Sequence, residues 1–126
     1  MDEVMGKILT IVVPTYNAEK YLRDNLESFD IPELLQDIEV LIINDGSTDH
    51  SVDIAREYEA RYPDTYRVIT KGNGGHGSGI NCGIAHARGT YFKVVDADDW
   101  VGKDAFVSLV KTLKTTDADV VYSGFL

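Results

Sequence analysis

Cysteine is almost missing: Cys82 is the single one in 126 residues. That excludes a disulfide framework and a cysteine-rich zinc site, and it fits a reducing compartment. Basic residues are also scarce. Twelve Lys and Arg stand against twenty-one Asp and Glu, a net charge of −9, which argues against nucleic acid or an anionic membrane as an unassisted partner. Long apolar runs are lacking. The longest, such as Ile8–Pro14 and Val40–Ile43, fall far short of the roughly 20 residues a membrane-spanning helix needs. Met1-Asp2-Glu3-Val4 has neither the basic nor the apolar region of a secretory signal. A cytosolic or cytosol-facing domain is therefore expected. Repeats, low-complexity tracts and linkers are absent too, leaving one unit over residues 1–126.

What is present is ordinary globular composition, 44% apolar and 26% charged. Short β-rich runs alternate with helical patterns. Ile8–Val13 reads as a buried strand ended by Pro14, whose missing N–H stops the ladder. Asn17 then suits an N-cap, with Ala18, Tyr21, Leu22, Leu26 and Phe29 along one helical face. Glu39–Ile43 is a second strand, and residues 49–62 a helix with Val52, Ala55, Tyr58 and Tyr62 inward. Tyr66–Thr70 and Tyr91–Val95 are further strands, separated by a glycine-rich loop and a helix over about residues 78–88. Phe106, Leu109, Val110 and Leu113 mark a last helix, and Asp119–Ser123 a fifth strand. The alternation predicts an α/β fold, an open, mostly parallel sheet with helices on both faces. Residues 118–126 read as a buried-type strand without a closing element. Either that strand lies at an edge or the natural protein continues; the second is expected, with Val120, Val121, Phe125 and Leu126 driving self-association.

Parallel sheets bind ligands beyond the carboxyl ends of their strands, and the unusual residues fall there. Asp96, Asp98 and Asp99 crowd one loop. Carboxylates that close need a counter-charge, and Mg²⁺ or Mn²⁺ is the natural one; a solvated acidic turn that caps the next helix is the plainer alternative. Gly72-Asn73-Gly74-Gly75-His76-Gly77 satisfies the dinucleotide fingerprint by spacing alone, with Asp96 about twenty residues on. It follows the third strand rather than the first and faces carboxylates, so close backbone approach to another ligand is the better account. Asp45, closing the second strand, either accepts a base N–H or ribose hydroxyl, or makes an Asx-turn into the next helix. Tyr16 either stacks on a base or belongs to the core. His76 is placed to donate to a phosphate. The histidines lack metal-ligand spacing, and no Ser-His-Asp, Cys-His or Walker-type arrangement stands out.

Together, Thr10-Ile11-Val12-Val13-Pro14-Thr15-Tyr16-Asn17, Tyr21-Leu22, residues 39–49, Asn73-Gly74-Gly75, Asn81-x-Gly83-Ile84, Ala87-x-Gly89-x-Tyr91 and Asp96-Ala97-Asp98-Asp99-Trp100 resemble the family-2 glycosyltransferases of GT-A fold. The likeness runs through nearly the whole chain, in order. It implies the nucleotide-sugar-binding N-terminal half of an enzyme that transfers a sugar, with inversion, from a nucleotide-diphosphate donor to a saccharide or lipid-linked hydroxyl. Cell-envelope or exopolysaccharide synthesis is the expected setting, with the full protein cytoplasmic or peripheral at the inner membrane face. By resemblance Pro14, Thr15 and Tyr16 line the base pocket, Asp45 binds the base, and Asn17, Gly74, Gly75, His76 and Asn81 serve the nucleotide-sugar donor. Asp96 and Asp98 match the Asp-x-Asp that contacts ribose and holds Mn²⁺ or Mg²⁺, with Asp99 a neighbouring ligand. Ile80 stands where many members have Arg, and His76 and Asn81 are placed to compensate. The catalytic base and acceptor segment are expected after Leu126. Nicotinamide-dinucleotide binding, or nucleotide binding without catalysis, are the competing readings.

Overall fold

A computed structural model describes residues 7–72 and 74–115. The chain runs β1 (Leu9–Thr15), α1 (Glu19–Glu27), β2 (Ile38–Asp45), α2 (Ser51–Arg61), β3 (Tyr66–Lys71), α3 (His76–His86), β4 (Tyr91–Val94) and α4 (Lys103–Thr115), with a 3₁₀ turn at Pro32–Leu34 before β2. The described strands form a four-stranded sheet in the order β3-β2-β1-β4, and every pairing is parallel. Every residue of β1 and β2 is buried, which explains why both read as continuous apolar runs rather than alternating ones. Asp119–Ser123, expected as a fifth strand, and the four apolar residues expected to self-associate lie outside the described residues. No helix among the described residues is long and apolar enough to cross a membrane.

The period of two sorts each strand onto two faces. Leu9, Ile11 and Val13 point to the larger core with Leu22 and Leu26 of α1, Ala55 and Tyr58 of α2, and Phe106 and Val110 of α4. The rings of Phe29 and Phe106 meet edge-on there, 5.5 Å between centroids. Val12, Leu41 and Ile43 face the other way, against Cys82 of α3. That helix lies close because Gly83 has no side chain: a Cβ there would stand 2.3 Å from Val12 Cγ1. Some of the glycines in this region therefore serve helix–sheet packing rather than a ligand. At the opposite end of the sheet from the strand carboxyl termini, Glu39 is fully buried. Its carboxylate accepts from the Thr10 hydroxyl (2.7 Å), the Arg88 N–H (2.5 Å) and Arg88 Nε (2.9 Å), fixing the turn that leads into β4.

Local expectations are corrected in several places. Pro14 does not end β1; it pairs with Ile43, and Thr15 with Asn44. The Val12 carbonyl accepts from Val95 N–H, so Pro14, two residues on, turns its missing N–H to the same side, past the end of β4. Asn17 is not the cap of α1; that position is Ala18, and Asn17 is left-handed with φ 48°. Tyr21 is exposed rather than inward. Helix α3 starts at His76, two residues earlier than its apolar pattern shows, because a helix's first turn need not bury anything.

Candidate functional site

The connections run β1 to β2 to β3 in one direction and then return to the far side of β1 for β4. This reversal opens a crevice at the carboxyl ends of the strands. A cleft of about 570 Å³ lies there, walled by residues 14–18 and Tyr21, by Asp45, by Gly75, His76 and Gly79, and by residues 96–98.

Its first wall is tied to the loop after β2. The Asn17 Oδ1 accepts from Thr48 N–H at 2.7 Å, and Asn17 N–H donates to the Ser47 hydroxyl at 3.0 Å. Asp49 then caps two helices. One oxygen accepts from the Ser51 N–H and hydroxyl at the start of α2, the other from Glu19 N–H at the start of α1 (3.1 Å). Glu19 returns the contact by accepting from His50 N–H at 3.1 Å. Helix α2 is thus capped locally by Asp49 and from α1 by Glu19, while α1, whose own N-cap Ala18 offers no side-chain acceptor, takes its cap from Asp49 in the loop before α2. Burial works to raise the Asp49 carboxyl, but the bonds from Ser51 and Glu19 outweigh it and hold it below its ordinary value. Tyr16 and Tyr21, 54% and 47% exposed, give this wall two open aromatic faces.

Asp45 is buried at the end of β2 and organises the glycine loop. Its Oδ1 accepts from Lys71 Nζ (2.9 Å) and Gly74 N–H (2.8 Å), and its Oδ2 from Gly75 N–H (2.9 Å). A carboxylate oxygen accepts about two bonds, so Oδ2 retains one free direction. Gly75 sits at φ 89°, a conformation that lets successive amides converge on one acceptor. The Lys71 contact first, and the two amides with it, hold the Asp45 carboxyl below its usual range. Sequence reasoning missed Lys71; a lysine closing a strand among acidic loops was the available signal.

The last wall is acidic. Asp96, Asp98 and Asp99 each offer an oxygen within 4.8 Å of the others. His76 Nε2 lies 2.6 Å from Asp96 Oδ1; a carboxylate only accepts, so this nitrogen carries the proton. The bond joins the start of α3 to the loop after β4. Of the expected site residues, Pro14, Thr15, Tyr16, Asn17, Asp45, Gly75, His76, Asp96 and Asp98 meet in the cleft wall. Gly74 instead stands behind it on Asp45. Asp99 joins through the acidic cluster. Asn81 is exposed on α3 outside that wall, with Ile80 half-buried beside it. The dinucleotide fingerprint follows β3, at the edge of the sheet formed by the described residues, and two of its amides are already occupied by Asp45.

Comparison with known proteins matches residues 10–126 to the glycosyl transferase family 2 sequence model. The uncharacterised glycosyltransferase EpsJ of Bacillus subtilis is 39% identical over 121 residues, covering 96% of this chain and 35% of its own length. Glycosyltransferase GlyA of Streptococcus pneumoniae is 34% identical over 119 residues, covering 93% of this chain and 16% of itself. The chain thus spans only 35% and 16% of the length of these two relatives. Among solved structures, S. aureus TarS in complex with UDP-GlcNAc superposes with TM-score 0.70 at 28% identity, covering 85% of this chain and 31% of that one. Mannosyltransferase PcManGT from Pyrobaculum calidifontis, in complex with GDP-Man and Mn²⁺, gives TM-score 0.61 at 29% identity, covering 82% and 31%.

Proposed function

This chain belongs to glycosyl transferase family 2 and has its α/β GT-A-type fold, and on that premise we propose that the cleft holds a metal-complexed nucleotide-diphosphate sugar. The protein of which it forms the donor-binding domain, residues 1–126, transfers that sugar with inversion to a saccharide or lipid-linked hydroxyl. Cell-envelope or exopolysaccharide synthesis on the cytoplasmic side is the setting. One observation carries the reading: a single cleft is lined by the open faces of Tyr16 and Tyr21, by Asp45 with one acceptor direction left, and by Asp96 and Asp98, which cluster with Asp99.

Each residue then has a task. The exposed Tyr16 ring stacks on the base; a uridine base is favoured because TarS was solved in complex with UDP-GlcNAc. Asp45 accepts a base N–H in its remaining direction, and Pro14, Thr15 and Asn17 shape that end. His76 turns its Nε2–H from Asp96 to the diphosphate once Asp96 serves the cation, and Gly75 lets the main chain approach it. Gly74 supports the loop from behind the cleft through its bond to Asp45, and Asn81 is assigned to the donor from the exposed side of α3. The donor set of Asp96, Asp98 and Asp99 fits Mn²⁺ or Mg²⁺: it is hard oxygen only, and PcManGT was solved with Mn²⁺. When bound, such an ion offsets the charge that builds on the leaving diphosphate. The base that deprotonates the acceptor hydroxyl is assigned to a part of the protein beyond Leu126.

Calorimetry with uridine diphosphate, with and without Mn²⁺, tests this. Binding that is measurable with Mn²⁺ and much weaker without it supports the reading; metal-independent binding of equal strength overturns it. Sugar transfer by this chain alone would overturn the placement of the base.

A further inference from the structure

The acidic loop is held from behind by α1. Asn25 is fully buried, and its Nδ2 donates to two main-chain carbonyls, those of Asp96 at 3.1 Å and Asp99 at 2.8 Å. The turn between them is closed by the Asp99 N–H, which donates to the Asp96 carbonyl at 2.9 Å. One helical turn on, the Ser28 hydroxyl donates to the Asn25 carbonyl at 2.6 Å and accepts from Val101 N–H at 3.3 Å. The amide orientation is dictated, since a flipped Asn25 would set its oxygen against two carbonyl oxygens.

Asn25 also does this at a cost. Its Oδ1 is buried and has no hydrogen-bond partner among the described residues, and an unpaired buried acceptor is expensive. Its neighbours on the same inward face are Leu22 and Leu26. A leucine would satisfy packing at that position; only a side chain with two donors bridges both carbonyls. The bridge brackets Asp98. It keeps closed a turn that repulsion among Asp96, Asp98 and Asp99 would otherwise open.

We infer that Asn25, seconded by Ser28, is the positioning residue of the acidic loop, spanning Asp96 and Asp99 so that the three carboxylates converge on one cation. The inference rests on the metal-binding reading above, and its test separates the two. Trp100 is the single tryptophan, borders the loop and is 56% exposed, so its fluorescence reports Mn²⁺ binding directly. Asn25→Leu should raise the Mn²⁺ dissociation constant at least tenfold and speed hydrogen exchange of the Asp99 amide at least tenfold. Ser28→Ala should do the same more weakly. Val110→Ala, a core change on α4 away from the loop, lowers stability and should leave both readouts unchanged. If Asn25→Leu does not fold, Asn25→Ser, which keeps one donor, is read in its place. An Mn²⁺ affinity within twofold of the parent overturns the inference, even with faster exchange. If the parent chain binds no Mn²⁺, the metal reading fails, and Asp99 exchange alone decides: equal rates in Asn25→Leu and Val110→Ala overturn the positioning role, and selective acceleration upholds it.

Discussion

Asp45 and Lys71 are register partners on adjacent parallel strands, and the lysine ammonium reaches 2.9 Å from the aspartate Oδ1. The end of β3 thereby neutralises the end of β2, inside a protein of net charge −9. The same carboxylate holds the Gly74 and Gly75 amides, so one residue both shapes the glycine loop and presents an acceptor to the cleft.

Asp45→Ala should therefore weaken uridine-diphosphate binding roughly ten- to a hundredfold, the loss of a bond to a charged acceptor. It should also speed exchange of the Gly74 and Gly75 amides, while Mn²⁺ affinity stays within about threefold. Lys71→Met should weaken nucleotide binding less, because the two amides still hold the carboxylate. Calorimetry at saturating Mn²⁺ checks the order; equal nucleotide affinity for Asp45→Ala and parent removes Asp45 from the site.

Acid should unfold the domain through a few identifiable carboxylates. For Glu39, burial works to raise the carboxyl, but the Arg88 N–H, the Thr10 hydroxyl and the Arg88 guanidinium outweigh it and hold it low. Asp45 and Asp49 are likewise depressed in the fold. A group whose folded value lies below its unfolded one stabilises above the unfolded value and loses that contribution as pH falls through the folded value. Urea midpoints should thus be flat from pH 7 to about pH 5 and fall steeply below about pH 4. Glu39→Gln should cost about 1.5–3 kcal/mol at neutral pH and flatten the acid limb. An unchanged limb would show that Glu39 does not carry it.

Asp98→Ala should abolish the Mn²⁺-dependent part of nucleotide binding and leave the melting temperature within a few degrees. Asp98 is exposed in the described fold, so its removal costs little packing. Retained metal-dependent binding would move the cation elsewhere.

Gly83→Ala should destabilise the domain by about 1–3 kcal/mol through overpacking. The clash partner, Val12, is fully buried and stiff at χ1. Val12→Ala in the same chain should recover part of the loss, which a double-mutant cycle in urea reads as a coupling. Additive effects would place the tight contact elsewhere.

The sequence by itself determined the α/β class, the four described parallel strands and the loops that meet at their carboxyl ends. Fully buried parallel strands are continuous apolar runs, and turn residues must interrupt them, so both show in one dimension. It also carried the residues of the cleft, because Asp45, His76 and the Asp96–Asp99 cluster stand at those interruptions. Its boundaries were less legible. Pro14 continues a strand because its missing donor faces no partner there, a fact about β4 rather than about Pro14. Only the tertiary structure could show that α1 and α2 cap each other through Asp49 and Glu19, or that Lys71 belongs to Asp45. The same holds for Asn25, an apparent polar interruption of an apolar helix face, which braces a loop more than seventy residues away. Those bonds join partners distant along the chain, and local pattern carries no information about which strand ends the fold brings side by side.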